Sequence, residues 1–221
     1  MNKRGKFIVL EGSEGSGKSS QLKKIAEILG DDVVVTREPG GTPYAEEIRH
    51  VILKSENAAQ ANEKTLFALF WASRADHLKN KIIPALEAGK TVICDRFDST
   101  TYAYQTIKKE SEDVSSKKPH RASGEVQDDV KKNFFFFRDF FVGDYKPDLY
   151  IYLDVDIETG LKRKSSQKDE INHIDRRTVD FFTRAKKQYQ EFFALVPSAV
   201  VDANPAFDVV TEKLLKIIKG L

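Results

Sequence analysis

Gly12-Ser13-Glu14-Gly15-Ser16-Gly17-Lys18-Ser19 fits the pattern G-x-x-x-x-G-K-[ST]. Background residue frequencies make a chance match in a chain of this length an event on the order of once in a hundred. The octapeptide follows a short apolar run, Phe7–Leu10, and precedes a helical pattern from Gln21 to Leu29. A strand, a glycine loop and a helix form the setting in which backbone N–H groups curl round phosphate oxygens, with the positive end of the helix dipole behind them. Lys18 can bridge β- and γ-phosphates there, and Ser19 can hold Mg2+. A glycine-rich turn that binds nothing is the alternative, and the flanking elements argue against it.

The same alternation continues outward. Val33–Val35, Val92–Cys94, Leu149–Leu153 and Ala199–Val201 are short and mostly β-branched or aromatic, so they read as buried strands. Longer segments with helical spacing separate them. In one, Leu66, Leu69, Phe70 and Ser73 begin a face that Leu78, Ile82 and Leu86 continue. Repeated strand-then-helix order predicts an α/β domain, with a parallel sheet covered on both sides and ligands at the carboxyl ends of its strands. Lys108 to Glu125 breaks the pattern: it is rich in Lys, Glu, Asp and Ser, holds Pro119, and reads as an exposed loop. Asn133–Phe141 carries six phenylalanines and reads as a buried helix, ahead of an exposed interaction surface.

Bulk properties narrow the function. The 221 residues suit one domain with a large core; 40% are hydrophobic and 32% charged. No apolar run approaches the roughly 20 residues of a membrane helix, and Phe7–Leu10 is too short for a signal-peptide core. No membrane partner is expected for that reason, and no nucleic acid because the net charge is only +2. Cys94 is the single cysteine, which excludes an internal disulfide and fits a reducing cytoplasm. His50, His77, His120 and His173 lack metal-ligand spacing. Basic residues cluster at Lys162–Lys164 and within Arg176–Lys187, as solvated helix faces or as a response to an anionic ligand. No N-K-x-D guanine-reading motif is visible, which favours a small-molecule kinase over a GTPase.

A second constellation follows the Val92–Cys94 strand: Asp95-Arg96-Phe97. There Asp95 can act on a metal or its waters, and Arg96 can clamp phosphate bidentately. Alone, that pair reads first as a structural Asp–Arg pair. Its surroundings decide otherwise, because the chain resembles bacterial thymidylate kinases. The matching pieces are Phe7 to Gln21, Thr36-Arg-Glu-Pro-Gly-Gly-Thr42, Ala45-Glu-Glu-Ile-Arg49, Leu66-Phe-Ala-Leu-Phe-Trp-Ala-Ser-Arg74, Asp95-Arg-Phe with Ala103-Tyr-Gln105, and Pro147 to Asp154. The likeness covers nearly everything outside residues 106–133.

The resemblance implies a P-loop kinase fold over residues 1–221, five-stranded and parallel, with a lid at about 161–175. It implies ATP and Mg2+, thymidine monophosphate as acceptor, and a homodimer. Gly12, Ser13, Glu14, Gly15, Ser16, Gly17, Lys18, Ser19 and Ser20 would hold the donor phosphates, and Ser19 and Asp95 the metal. Glu14 would also lie near the acceptor sugar. Glu38 and Pro39 border the acceptor pocket; Arg49, Arg74 and Arg96 approach the acceptor, Arg74 at the base. Phe70 stacks on thymine, whereas from spacing alone it reads as core. Thr100, Thr101 and Gln105 lie beside the base, and Tyr104 under the deoxyribose, leaving little room for a 2′-hydroxyl. The phosphate loop has no arginine at its variable positions, so the lid would supply the cations: Arg163 as the catalytic one, with Lys162, Lys164 and Lys168 as helpers. Asp175-Arg176 would close the lid, and Asp202-Ala203-Asn204 would cradle adenine. Two segments depart from the family: Thr106-Ile-Lys-Lys109 replaces a Gly-x-Gly-Arg-like stretch, and Ser165, Ser166 and Gln167 thin the arginines of the lid. Another nucleotide kinase, or a binding module without turnover, remains the rival reading.

Overall fold

The apolar runs become five parallel strands: β1 (Phe7–Gly12), β2 (Val33–Arg37), β3 (Thr91–Asp95), β4 (Leu149–Asp154) and β5 (Ser198–Asp202), in the order β2-β3-β1-β4-β5. The structure is a computed structural model that describes residues 4–13, 15–107, 123–165 and 179–221. In the register, Val9 lies beside Cys94 on one side and Tyr150 on the other. Several strands run further than their apolar letters, because Glu11-Gly12, Thr36-Arg37, Asp95, Asp154 and Asp202 continue the ladder. The carboxyl edge of the sheet is therefore polar, while β1 is buried along its whole length.

Alternation along the central strands separates two cores. Ile8, Leu10, Ile93, Ile151 and Leu153 face an aliphatic layer closed by α1 (Lys18–Leu29) and α9 (Phe207–Lys219) through Leu22, Ile25, Val210 and Leu214. Phe7, Val9, Val92, Cys94, Tyr150 and Tyr152 face an aromatic layer. The helices α3 (Glu63–His77), α5 (Asp98–Gln105), α6 (Ser123–Val142) and α8 (Val179–Phe193) cover it with Trp71, Tyr102, Phe134 and Phe192. Trp71 is 1% exposed, and truncating it to alanine is expected to cost about 3–5 kcal/mol.

Three details differ from the sequence reading. First, a π-helical turn, Leu78–Ile82, joins α3 to the short α4 (Ile83–Glu87). The core face runs through Phe67, Trp71, Leu78, Ile82 and Leu86, leaving Leu69 and Phe70 half-buried beside it. Second, α6 is two-faced. Phe134 is fully buried and Phe137 and Phe141 pack on the core, while Phe136 and Phe140 stand outside at 65% and 71% exposure. Arg138 anchors the inner face, its Nε donating to Asp98 Oδ2 at 2.6 Å, and Tyr150 donates to the other Asp98 oxygen. Third, α6 begins at Ser123, inside the stretch expected as loop. Residues 108–122 lie outside the described residues.

α2 (Pro43–Leu53) starts from Thr42, whose hydroxyl accepts from Ala45 N, and α7 (Ile157–Ser165) opens the segment read as a lid. Among the described residues, no helix is long and apolar enough to cross a membrane.

Candidate active site

The carboxyl end of β1 runs into the phosphate loop. Gly17 adopts φ 85° and ends the loop without a side-chain cap, and the first turn of α1 carries no acid. The opening N–H groups of that helix have no intrahelical partner, which leaves them for an anion. Lys18 lies back across the loop, its ammonium donating to Gly12 O at 2.7 Å, Ser13 O at 3.2 Å and Ser16 Oγ at 3.4 Å. Gly15, at φ 71°, passes so near Gly160 of α7 that a Cβ there would collide with the Gly160 carbonyl. The Gly12–Ser19 loop and α7 are thus in direct contact. Ser20 is exposed on α1; Glu14, Lys168 and Arg176 lie outside the described residues.

Strand β3 delivers the second constellation beside the first. Ser19 Oγ donates to Asp95 Oδ2 at 3.3 Å. Asp95 Oδ1 is buried with no partner, and Asp95 and Ser19 both border a cavity of about 680 Å3. A hydroxyl beside a half-unpaired carboxylate, with space next to it, suits Mg2+, which takes one or two protein oxygens and keeps waters.

Arg96 holds φ 65°, unusual for a residue with a side chain. Its N–H donates to Leu10 O at 3.0 Å, and its Nη1 meets Tyr189 OH at 3.2 Å, Thr100 Oγ1 at 3.4 Å and Glu11 Oε2 at 3.7 Å. Glu11 is fully buried, and accepts from Phe97 N, Ser99 Oγ and Thr100 Oγ1 on one oxygen and from Thr100 Oγ1 and Tyr189 OH on the other. Burial pushes its carboxyl above the ordinary value, against the pull of Arg96, Ser99, Lys18 and Thr100. The hydroxyl of Thr100 thus serves this network, although the residue also lines the cleft described next.

Phe70, Leu66, Thr100, Thr101, Tyr104 and Gln105 surround a narrow cleft of about 20 Å3. Its aromatic, Phe70, is half-buried and stands outside the main core cluster. Gln105 is 7% exposed, and neither its amide oxygen nor its amide nitrogen has a partner. Arg74, 1% exposed, donates from Nη2 to Thr101 Oγ1 at 3.1 Å and from Nε to Glu38 Oε2 at 2.8 Å, while its Nη1 is buried without a partner. The other Glu38 oxygen meets His77 Nδ1 at 3.1 Å, and His77 Nε2 meets Thr36 Oγ1 at 2.7 Å. Gly41, at φ 94°, lies against that imidazole, where a Cβ would collide with His77. Glu38 therefore holds Arg74, and Pro39 likewise holds Arg49: its carbonyl accepts from Arg49 Nη1 at 2.7 Å. Burial, and then Arg37 and Arg96, lower the Arg49 pKa, with Glu46 and Asp95 acting the other way. This places Arg49 in the same charge cluster as Arg96 and Asp95. Tyr104 bounds the cleft with the Arg96 guanidinium 5.5 Å from its ring centre.

At the donor end, Arg163 reaches the loop expected to cradle adenine. Its Nη1 donates to Ala203 O at 2.9 Å and its Nη2 to Asn204 O at 3.1 Å. Asn204 is itself fixed, its amide nitrogen donating to Asp202 Oδ1 and its oxygen accepting from Asp156 N.

Glu11, His77 and Tyr189 were given no role from sequence. Glu11 had a local signal, a charge closing an apolar strand, since a fully buried carboxylate must be paired. The aromatic spacing of α8 gives no such signal for Tyr189.

A sequence model of the thymidylate kinase family matches residues 10–137 and 126–214. The thymidylate kinase of Clostridium novyi is 37% identical over 99% of this chain and all of its own length. That of Staphylococcus epidermidis is 39% identical over 97% of this chain and 98% of its own. The crystal structure of thymidylate kinase from Ehrlichia chaffeensis superposes with a TM-score of 0.67 at 24% identity, covering 97% of this chain and 99% of that one, which supports the fold. With near-complete coverage in sequence, the chain belongs to the thymidylate kinase family.

Proposed function

We propose that the site transfers the γ-phosphoryl group of ATP to thymidine monophosphate, giving ADP and thymidine diphosphate for thymidine triphosphate synthesis. The relatives support the reaction. The observation that carries the acceptor is the Gln105 amide, buried at the cleft with both polar atoms unpaired. Leaving such groups unmade costs about 1–3 kcal/mol each, so they point to a ligand edge. Thymine offers a carbonyl, a ring N–H and a second carbonyl. The Gln105 oxygen accepts the N–H, its nitrogen donates to one carbonyl, and Arg74 Nη1 donates to the other. Cytosine presents an amino group and an unprotonated ring nitrogen instead, which reverses two of those three pairings. Phe70 offers its face to the base, and Tyr104 closes the sugar side.

The acceptor phosphate is already ionised, so no strong general base is needed and catalysis is positioning plus charge neutralisation. The amides of the phosphate loop and Lys18 bind the donor phosphates; Arg96 and Arg49 draw the acceptor phosphate into line. Ser19 and Asp95 would hold Mg2+, which would neutralise phosphate charge. Arg163 and the lid segment complete the donor side. The family resemblance and the exposed Phe136–Phe140 pair, stacked at 6.3 Å, support a homodimer. The small net charge supports an enzyme without nucleic acid as partner, and the nucleotide substrates support a cytoplasmic one.

The test is ADP release with ATP, Mg2+ and each monophosphate. Thymidine monophosphate should lead, deoxyuridine monophosphate follow by the worth of one methyl, about 1–3 kcal/mol, and uridine monophosphate trail. Tyr104→Ala should let the ribonucleotide gain while the thymine preference persists. Equal use of uridine and thymidine monophosphates by the unaltered enzyme would reject this acceptor.

A further inference from the structure

The hydroxyl of Tyr189 sits where three elements meet. It lies 3.2 Å from Arg96 Nη1, 2.9 Å from Thr100 Oγ1 and 3.1 Å from Glu11 Oε2, and belongs to α8. Its ring is locked by Phe193, stacked at 5.7 Å, and by Tyr152 at 5.3 Å. Packing alone needs only the ring. The hydroxyl has a further use, because Arg96 approaches Glu11 no closer than 3.7 Å, beyond hydrogen-bond reach. Tyr189 spans that gap: it accepts from the guanidinium and donates to the carboxylate. Thr100 makes a parallel bridge. Burial first, and the Glu11 charge second, hold the phenol well above its ordinary value, so it keeps the proton it donates.

We propose that Tyr189 is a positioning residue for phosphoryl transfer, fixing the Arg96 guanidinium through a hydroxyl bridge to the buried Glu11 carboxylate. This rests on Arg96 being the phosphate clamp. A free arginine side chain carries about 2 kcal/mol of rotamer entropy, and this one also leaves an uncommon backbone conformation. Anchoring Nη1 on rigid aromatic and β-branched residues removes that freedom before substrate arrives. The bond is to a charged donor, the stronger class of hydrogen bond, and its loss loosens the geometry at the reacting phosphates.

The experiment is a double-mutant cycle of Tyr189→Phe and Arg96→Ala, reading kcat at saturating ATP and thymidine monophosphate, with thermal unfolding of each variant. Tyr189→Phe should lower kcat about tenfold, and in the Arg96→Ala background the same change should cost less than twofold. If Arg96→Ala is crippled but Tyr189→Phe turns over like the unaltered enzyme, or costs the same in both backgrounds, Tyr189 does not act through Arg96 and the proposal is overturned. If Arg96→Ala itself turns over normally, the clamp reading fails and takes the proposal with it. Should Tyr189→Phe not fold, Thr100→Val removes the parallel hydroxyl and enters the same cycle with the same criteria.

Discussion

Replacing Gln105 by leucine should make the protein more stable and a poorer enzyme. In the empty protein both polar atoms of this amide are buried and unpaired, at about 1–3 kcal/mol each. Leucine has a similar length and no polar atoms, and imperfect repacking returns up to about 1.5 kcal/mol. For the two atoms together the net gain is about 0.5–6 kcal/mol, which for a domain of this size raises Tm by roughly 1–24 °C. With thymidine monophosphate bound the sign reverses. The base loses two partners, and its own N–H and carbonyl are then buried unsatisfied. A loss of about 3 kcal/mol corresponds to roughly 150-fold in kcat/KM.

Thermal unfolding with and without thymidine monophosphate separates these terms. At a hundred times the unaltered enzyme's Kd, the ligand adds about 2.7 kcal/mol to it and only about 0.3 to a variant binding 150-fold more weakly. The stability gap seen without ligand should therefore shift by about 2.4 kcal/mol in favour of the unaltered enzyme. A Gln105→Leu protein that is less stable without ligand and shows unchanged kinetics would refute the claim that this amide is held in reserve for the base.

Three other outcomes are expected. Lys18→Ala should lower kcat by roughly a hundredfold or more in a folded protein; near-normal turnover would remove the phosphate-loop assignment. Arg163→Ala should raise KM for ATP, because the guanidinium holds the carbonyls of residues 203 and 204, and should depress kcat while acceptor affinity holds; lost acceptor affinity with intact kcat would move Arg163 to substrate binding. Glu11→Gln tests a carboxyl raised by burial. A raised group contributes stability fully below its unfolded value and loses it as pH rises through the folded value. The unaltered protein should thus lose stability relative to Glu11→Gln as pH rises from 4.5, by up to about 1.36 kcal/mol per pH unit. Urea unfolding from pH 4.5 to 8 reads this, and a pH-independent difference would reject the shift.

The sheet was legible because each strand is a run of apolar, mostly β-branched or aromatic residues, and the phosphate loop because its pattern and flanks are local. Side-chain destinations were less so. Phe70 obeys helical spacing, yet it lies beside the core because the buried stripe of α3 runs through Phe67 and Trp71. Glu38 and Pro39 are expected at the acceptor pocket; in the structure they bond Arg74, His77 and Arg49. Those partners are 10 to 39 residues away in sequence, and no local pattern reports which group a carboxylate will face. Tyr189 is further still, 178 residues from Glu11.

Hydrogen-bond satisfaction divides the polar interior into scaffold and site. The Glu11 carboxylate is saturated by Phe97 N, two hydroxyls and Tyr189, and Asp98 is saturated by Arg138 and Tyr150. These groups complete one another without substrate, so cutting them should damage stability first. Gln105, Arg74 Nη1 and Asp95 Oδ1 are buried and incomplete. Gln105 borders the narrow cleft and Asp95 the cavity beside Ser19, and each of the three costs folding energy that a native core normally avoids. A fold that retains such a cost gains by it only when a ligand supplies the missing partners. The two classes therefore respond oppositely to apolar replacement. Stability and activity should fall together in the saturated set, whereas in the incomplete set activity falls as stability rises.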